Sequence, residues 1–187
     1  MQWPDGLRPD QAPVYARNEM LIPAEQTVVW QWICRAELWP TWYPNCRWLE
    51  FERGSGPDLH LDTQFRWWTF GAVVYSTVRV FNPRRSIEWD GFTLFGTQVY
   101  HGWFLATAGQ CTRVVTEETQ TGPLPWVARW PLRSVLWLGH QLWLSRLRQV
   151  SRTGPPPLPP RATRASRGRR FVFGSRSGSR FHRTGKP

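Results

Sequence analysis

His101 and Glu118 are the titratable pair whose spacing could do chemistry. In "QVYHGWFLA" and "TRVVTEETQ" apolar and polar residues alternate with the two-residue period of a β-strand. An outward Arg113 turns Val114, Thr116 and Glu118 inward. On the preceding run the inward set is Val99, His101, Trp103 and Leu105, because the other set contains Gly102 and Ala106. Only a short "AGQ" turn separates the runs, so they are antiparallel neighbours and both titratable groups face the interior. A buried Glu beside a His has strongly coupled ionisation. Such a pair can remove a proton next to a carbonyl and return it elsewhere, the chemistry of aldol cyclisation and dehydration. The same two residues can equally form an internal hydrogen bond, or Glu118 can turn to solvent beside Glu117.

Other chemistry finds less support. His140 stands at the border of a helical apolar stripe, one turn from Leu136 and Trp143, and reads as a packed helix histidine; His60 and His182 fall in a loop and in the tail. Three cysteines, Cys34, Cys46 and Cys111, are an odd number at irregular spacing. They make neither a disulfide framework nor a zinc pair, so reduced, mostly buried thiols and no metal site are expected. No HExxH, GxGxxG, GxxxxGK[ST] or GxSxG occurs. Zinc hydrolysis, dinucleotide binding, NTP hydrolysis and α/β-hydrolase chemistry therefore have no motif behind them, and no cofactor is expected.

The elements that must position the pair follow from pattern and punctuation. Residues 1–13 mix Pro, Gly and Asp and read as a loose lead-in. A strand is predicted at 14–22, then two short helices near 24–34 and 36–42, because Pro40 cannot continue the first. Strands follow near 46–52, 63–70, 73–81, 85–92, 97–106 and 111–120, divided by "GSGPD", "FG", "NPRR", "FG" and "AGQ". Within them an outward Arg66 leaves Phe65, Trp67 and Thr69 inside; an outward Arg79 leaves Val74, Ser76, Val78 and Val80 inside; an outward Glu88 leaves Ile87 and Trp89 inside. After "TGPLP" the period becomes helical: Leu132, Val135, Leu136, Gly139, Leu142, Trp143 and Leu147 form the apolar stripe of a helix over 131–150. A bent antiparallel sheet needs cover on its apolar face, and one long helix cannot fill the whole concavity, so a cavity between them is expected.

The order of elements, with "WPTWYPNC", "FRWWTFG", "NPRRSIEWDG", "YHGWFL", "TRVVTEETQTG" and "HQLWLSRL", resembles the SRPBCC (START-like, helix-grip) superfamily. The likeness is nearest to its polyketide cyclase/dehydrase and lipid transport branch and covers about residues 14–150. It implies an α+β helix-grip fold: a curved seven-stranded antiparallel sheet, two short helices after the first strand, and a long C-terminal helix across the concave face. It also implies a hydrophobic cavity for a lipid, polyketide or other apolar small molecule, without implying a reaction. In such a fold the aromatic "WPTWYPNCRW" is a rigid corner at the cavity rim. Its single Arg47 is too little for a nucleic-acid stacking platform.

The expected ligand contacts are Trp42, Phe65, Trp67, Thr69, Val78, Trp89, Trp103, Val114, Thr116, Leu136 and Trp143. Fourteen Trp suit a flat aromatic ligand, although any one of them can simply fill the core. The net charge of +11 lies almost wholly at the end of the chain: ten of the 24 Lys and Arg, and no Asp or Glu, lie from Ser151 onward, which leaves the body nearly neutral. That Pro, Gly, Ser and Arg-rich stretch, 151–187, is expected to be disordered, with weak, salt-sensitive attraction to nucleic acid or anionic surfaces at most. No signal peptide or membrane span is read, and a cytoplasmic location follows by default.

Overall fold

In β1 (Val14–Ile22) the inward positions Val14, Ala16, Asn18 and Ile22 are buried and the residues between them are less so. The computed structural model describes residue 1, residues 3–52 and residues 56–158. After β1 come α1 (Gln26–Cys34), a single 3-10 turn (Ala36–Leu38) and α2 (Trp39–Trp42). Pro40 sits in the first turn of α2, where its missing N–H is not needed. Six more strands follow: β2 (Leu49–Phe51), β3 (Gln64–Thr69), β4 (Ala72–Asn82), β5 (Ser86–Phe92), β6 (Gln98–Ala108) and β7 (Cys111–Thr121). A short α3 (Pro123–Val127) and the 23-residue α4 (Arg129–Ser151) complete the order.

All seven strands form one antiparallel sheet in the order β1-β7-β6-β5-β4-β3-β2. The sheet is curved, and α4, about 35 Å long at 1.5 Å per residue, crosses its concave side. This is the helix-grip α+β arrangement. Arg–carboxylate pairs decorate the other side, among them Arg66 with Glu50, Arg79 with Asp90 and Arg113 with Glu19.

The core is largely aromatic. Trp143 of α4 stacks face to face on Tyr43, with centroids 4.4 Å apart and planes 2° from parallel. It meets Trp39 and Trp103 edge-on at 5.1 Å and 5.0 Å. Trp39 also touches Phe65, Trp67 and Trp89, so the "WPTWYPNC" corner is driven into the centre of the core. Offset and edge-to-face pairs of this kind add roughly 0.5–1.5 kcal/mol each beyond the area they bury.

Several sequence expectations are corrected. Between Val78 and Val80 the β4–β5 ladder shifts by a bulge: Val78 pairs with Trp89, but Val80 pairs with Glu88 and Phe81 with Ile87. One extra residue exchanges the faces beyond it, so Phe81 rather than Val80 turns inward, where it meets Trp30 at 5.4 Å. Glu88 does face away from the concavity but is buried, accepting a 3.0 Å hydrogen bond from the Tyr100 hydroxyl. The N-terminal lead-in packs against this same side of the sheet. The Trp3 ring lies 5.6 Å from that of Tyr100, the Leu7 carbonyl accepts from Thr119 Oγ1 at 2.8 Å, and Leu7 is buried.

At the other end α4 continues through Ser151, and the residues after it return to α1. Trp32 Nε1 donates to the Gly154 carbonyl at 2.8 Å, Arg35 donates to the Pro157 carbonyl at 2.7 Å, and Pro156 is buried. The ordered chain thus runs past the boundary drawn at Ser151, and the disorder expected for the remaining tail lies outside the described residues. All three cysteines are free thiols; burial pushes that of Cys46 up to about 12. No helix among the described residues is long and apolar enough to cross a membrane.

Candidate functional site

His101 and Glu118 are direct cross-strand partners on β6 and β7, which is what alternation in the two runs required. His101 Nδ1 lies 2.7 Å from Glu118 Oε2, and its Nε2 lies 3.1 Å from Thr116 Oγ1. The Trp89 indole stacks on the imidazole at 4.5 Å and 10°, fixing the ring plane. A third group arrives from above: His140 of α4 places Nε2 3.2 Å from the same Glu118 oxygen. Gln120 donates to the second carboxylate oxygen at 2.7 Å. His101, His140 and Glu118 are 1%, 0% and 6% exposed, so the cluster is sealed from bulk water on most sides.

The hydrogen bonds fix the protonation that suits this arrangement. A carboxylate accepts only, so His101 donates through Nδ1 and accepts the Thr116 hydroxyl at Nε2, while His140 donates through Nε2. Among the described residues His140 Nδ1 has no hydrogen-bond partner. Burial brings His101 down to about 4 against the opposing pull of Glu118, keeping the imidazole neutral at ordinary pH. Burial also disfavours ionised Glu118, but hydrogen bonds from His101 and His140 outweigh it and hold the carboxyl well below the usual range. The result is a buried carboxylate held by three side-chain donors.

Beside the cluster lies a cavity of about 130 Å³, bounded by β3 to β7 on one side and by α3 and the first half of α4 on the other. Val74, Val99, Trp89 and Leu136 give it apolar walls; Glu118, Gln120, Thr69, Thr93 and Thr97 supply the polar ones. One end is closed by Phe70, held at φ 49° in the two-residue β3–β4 turn with Gly71 at φ 81°. Gly139 of α4 makes room for that ring: any Cβ there would overlap Phe70. The glycine thus acts behind the cavity wall, by seating Phe70.

Of the ligand contacts expected from sequence, Trp67, Thr69, Trp89 and Leu136 line this cavity, together with Glu118. Trp42, Phe65, Val78, Trp103, Val114, Thr116 and Trp143 are buried but do not line it. His101 stands one layer behind, between Trp89 and Glu118. Sequence reasoning missed His140 as a member of the cluster, and missed Phe70, Gln120 and the α3 residues Leu124 and Pro125 as walls. For His140 a signal existed. Leu136, His140, Trp143, Leu147 and Ser151 recur at spacings of three or four and are all buried, whereas Val135 and Leu142 are 49% and 37% exposed. The buried stripe is centred on the histidine.

No protein-family model and no curated protein matches the sequence. Solved structures do match. A hypothetical protein of Helicobacter pylori, jhp0584, is 24% identical with a TM-score of 0.75 over 81% of this chain and 95% of its own. The di-domain ARO/CYC protein StfQ of the steffimycin biosynthetic pathway is 16% identical, with a TM-score of 0.63 over 75% of this chain and 51% of its own. A START superfamily protein of Mycobacterium smegmatis is 14% identical, with a TM-score of 0.56 over 73% of this chain and 98% of its own. At these identities the likeness is one of fold: the chain has a START-like, helix-grip fold.

Proposed function

We propose that the protein binds a small apolar molecule bearing one ring, held between the sheet and α3–α4 with a hydrogen-bond donor directed at Glu118. The observation that carries this reading is the cavity itself, apolar on most sides and ending on a buried carboxylate. Its volume of about 130 Å³ is comparable with the ~150 Å³ of an engineered apolar cavity that takes up benzene. One ring fits, and of a larger polyketide-like or lipid molecule only one ring or a short chain segment enters. The fold shared with an ARO/CYC protein and a START superfamily protein supports an apolar ligand in general terms.

Phenol and toluene, titrated against the protein by NMR, test the reading. Both are expected to shift signals of Val74, Val99 and Leu136. Glu118→Gln is expected to weaken phenol about tenfold or more, because a hydrogen bond to a charged group contributes about 1.5–3 kcal/mol, and to leave toluene within about twofold. Equal weakening of both would remove Glu118 from ligand recognition.

A second reading, in which His101 and Glu118 work as the acid and base of a cyclase or dehydratase, is favoured by their 2.7 Å contact, of which the Glu118 partner borders the cavity. It ranks behind binding because a carboxylate held far below its usual range is a weak base, and general-base catalysis is most efficient with a pKa near the working pH. Glu118→Gln and His101→Asn separate the two: full ring-closure activity in both variants would end the catalytic reading.

A further inference from the structure

We propose that His101, His140 and Glu118 form a binding site for one divalent transition-metal ion, with Zn²⁺ the best match to two imidazole nitrogens and one carboxylate oxygen. Their ligand atoms all lie within 4.8 Å of one another. Ligands about 2.1 Å from a tetrahedral ion sit roughly 3.4 Å apart. Glu118 Oε2 is already 2.7 Å from His101 Nδ1 and 3.2 Å from His140 Nε2, so these two contacts need to lengthen by only roughly 0.7 and 0.2 Å to admit the ion. Each sits on a rigid element: two on adjacent strands in direct register and one on the long helix. Two His and one carboxylate with an accessible fourth position is the ligand count of catalytic rather than structural zinc. Here Glu118 borders the cavity, which supplies that position to water or to a ligand oxygen.

Burial supplies a second argument. Glu118 is 6% exposed, and its side-chain hydrogen-bond partners are His101, His140 and Gln120, with no Lys or Arg among them. Buried carboxylates in proteins are ordinarily paired or bound to metal. Outer-shell partners are in place for two of the ligands: Gln120 holds the other carboxylate oxygen, and Thr116 Oγ1 stands 3.1 Å from His101 Nε2, while His140 Nδ1 has no partner among the described residues. Proton balance is simple. With the ion bound, His101 carries its proton on Nε2 and donates a hydrogen bond from there to Thr116 Oγ1, and His140 carries its proton on Nδ1.

The test is titration of the full chain with Co²⁺, read by visible absorption, and with Zn²⁺, read by calorimetry. One equivalent of Co²⁺ is expected to give the intense bands of a four- or five-coordinate ion without a sulfur charge-transfer band, and EDTA should reverse them. His140→Gln is expected to weaken Zn²⁺ at least 100-fold. Thr116→Val, which keeps all three ligands and the side-chain volume, is expected to weaken it about 10–100-fold and serves if the His140 variant does not fold. Three results would overturn the proposal: a Co²⁺ spectrum like that of the aqueous ion at stoichiometric concentration, a sulfur-to-cobalt band placing the ion on a cysteine, or binding that survives both variants unchanged. The phenol titration is read on the metal-free protein, so failure of either claim leaves the other standing.

Discussion

Trp143→Ala is expected to lower the free energy of unfolding by about 4 kcal/mol, enough to remove a large share of the roughly 5–15 kcal/mol that holds a domain of this kind together. The side chain is 1% exposed and is the one residue of α4 that packs against Tyr43, Trp39, Trp67, Trp103 and the His101 ring. Truncation would leave a void lined by five rings that belong to β3, to β6 and to α2 with the residue after it. Rings of that size cannot collapse into it without leaving their rotamers. The indole N–H has no hydrogen-bond partner among the described residues, so its loss costs nothing. Trp143→Phe is therefore expected to cost less than half as much as Trp143→Ala. Urea unfolding followed by fluorescence measures both. A loss below about 1 kcal/mol for the alanine variant would mean that α4 is held by something other than its aromatic face.

Val99→Trp is expected to abolish binding of phenol and toluene, a loss of at least 100-fold, while leaving the fold intact. Val99 is an inward position of β6, between Gln98 and Tyr100, and it borders the cavity. An indole added there takes up most of the about 130 Å³ that a ring would occupy. Overpacked cores usually lose about 1–3 kcal/mol, but here the added volume enters an existing hollow, and a smaller loss is expected. The relevant readout is the phenol titration beside an unfolding curve. Retained binding in a folded Val99→Trp protein would place the ligand in another groove, such as that between Trp30, Phe81 and Pro156.

Much of this architecture could be read from sequence, for reasons that also explain what could not. Strand alternation is local, so the pairing of His101 with Glu118 followed from Arg113 and from the unfavourable alternative set around Gly102. The Arg79 bulge is not local in that sense. It is a shift in the register of β4 against β5, and it turns Val80 out and Phe81 in. The burial of Glu88 depended on a lead-in rich in Pro and Gly that nonetheless carries Trp3 and Leu7 to the apolar ground beside Tyr100. His140 was placed at the edge of its helix because Val135 and Leu142 were counted into the stripe, which rotated the inferred face away from the true one.

The division of the tryptophans between core and cavity was the least legible part. Trp67 and Trp89 line the cavity, while Trp103, equally inward by alternation, is packed among other rings together with Trp143 of α4. Alternation fixes the face a residue occupies but not the distance from the helix above it. That distance is set by where α4 crosses the sheet. Composition pointed to a hollow walled by tryptophan; the helix instead presses most of the rings together and leaves the opening at its N-terminal half, under Leu136 and α3.

The central claim is that a ring occupies this opening with its polar end on Glu118. Intermolecular NOEs from bound phenol to the protein's methyl groups test it most directly. The account predicts contacts to Val74, Val99 and Leu136 and none to the methyls of Val78 or Val114, which sit outside the cavity walls. NOEs confined to other residues, or none from phenol at concentrations that saturate a millimolar site, would contradict it.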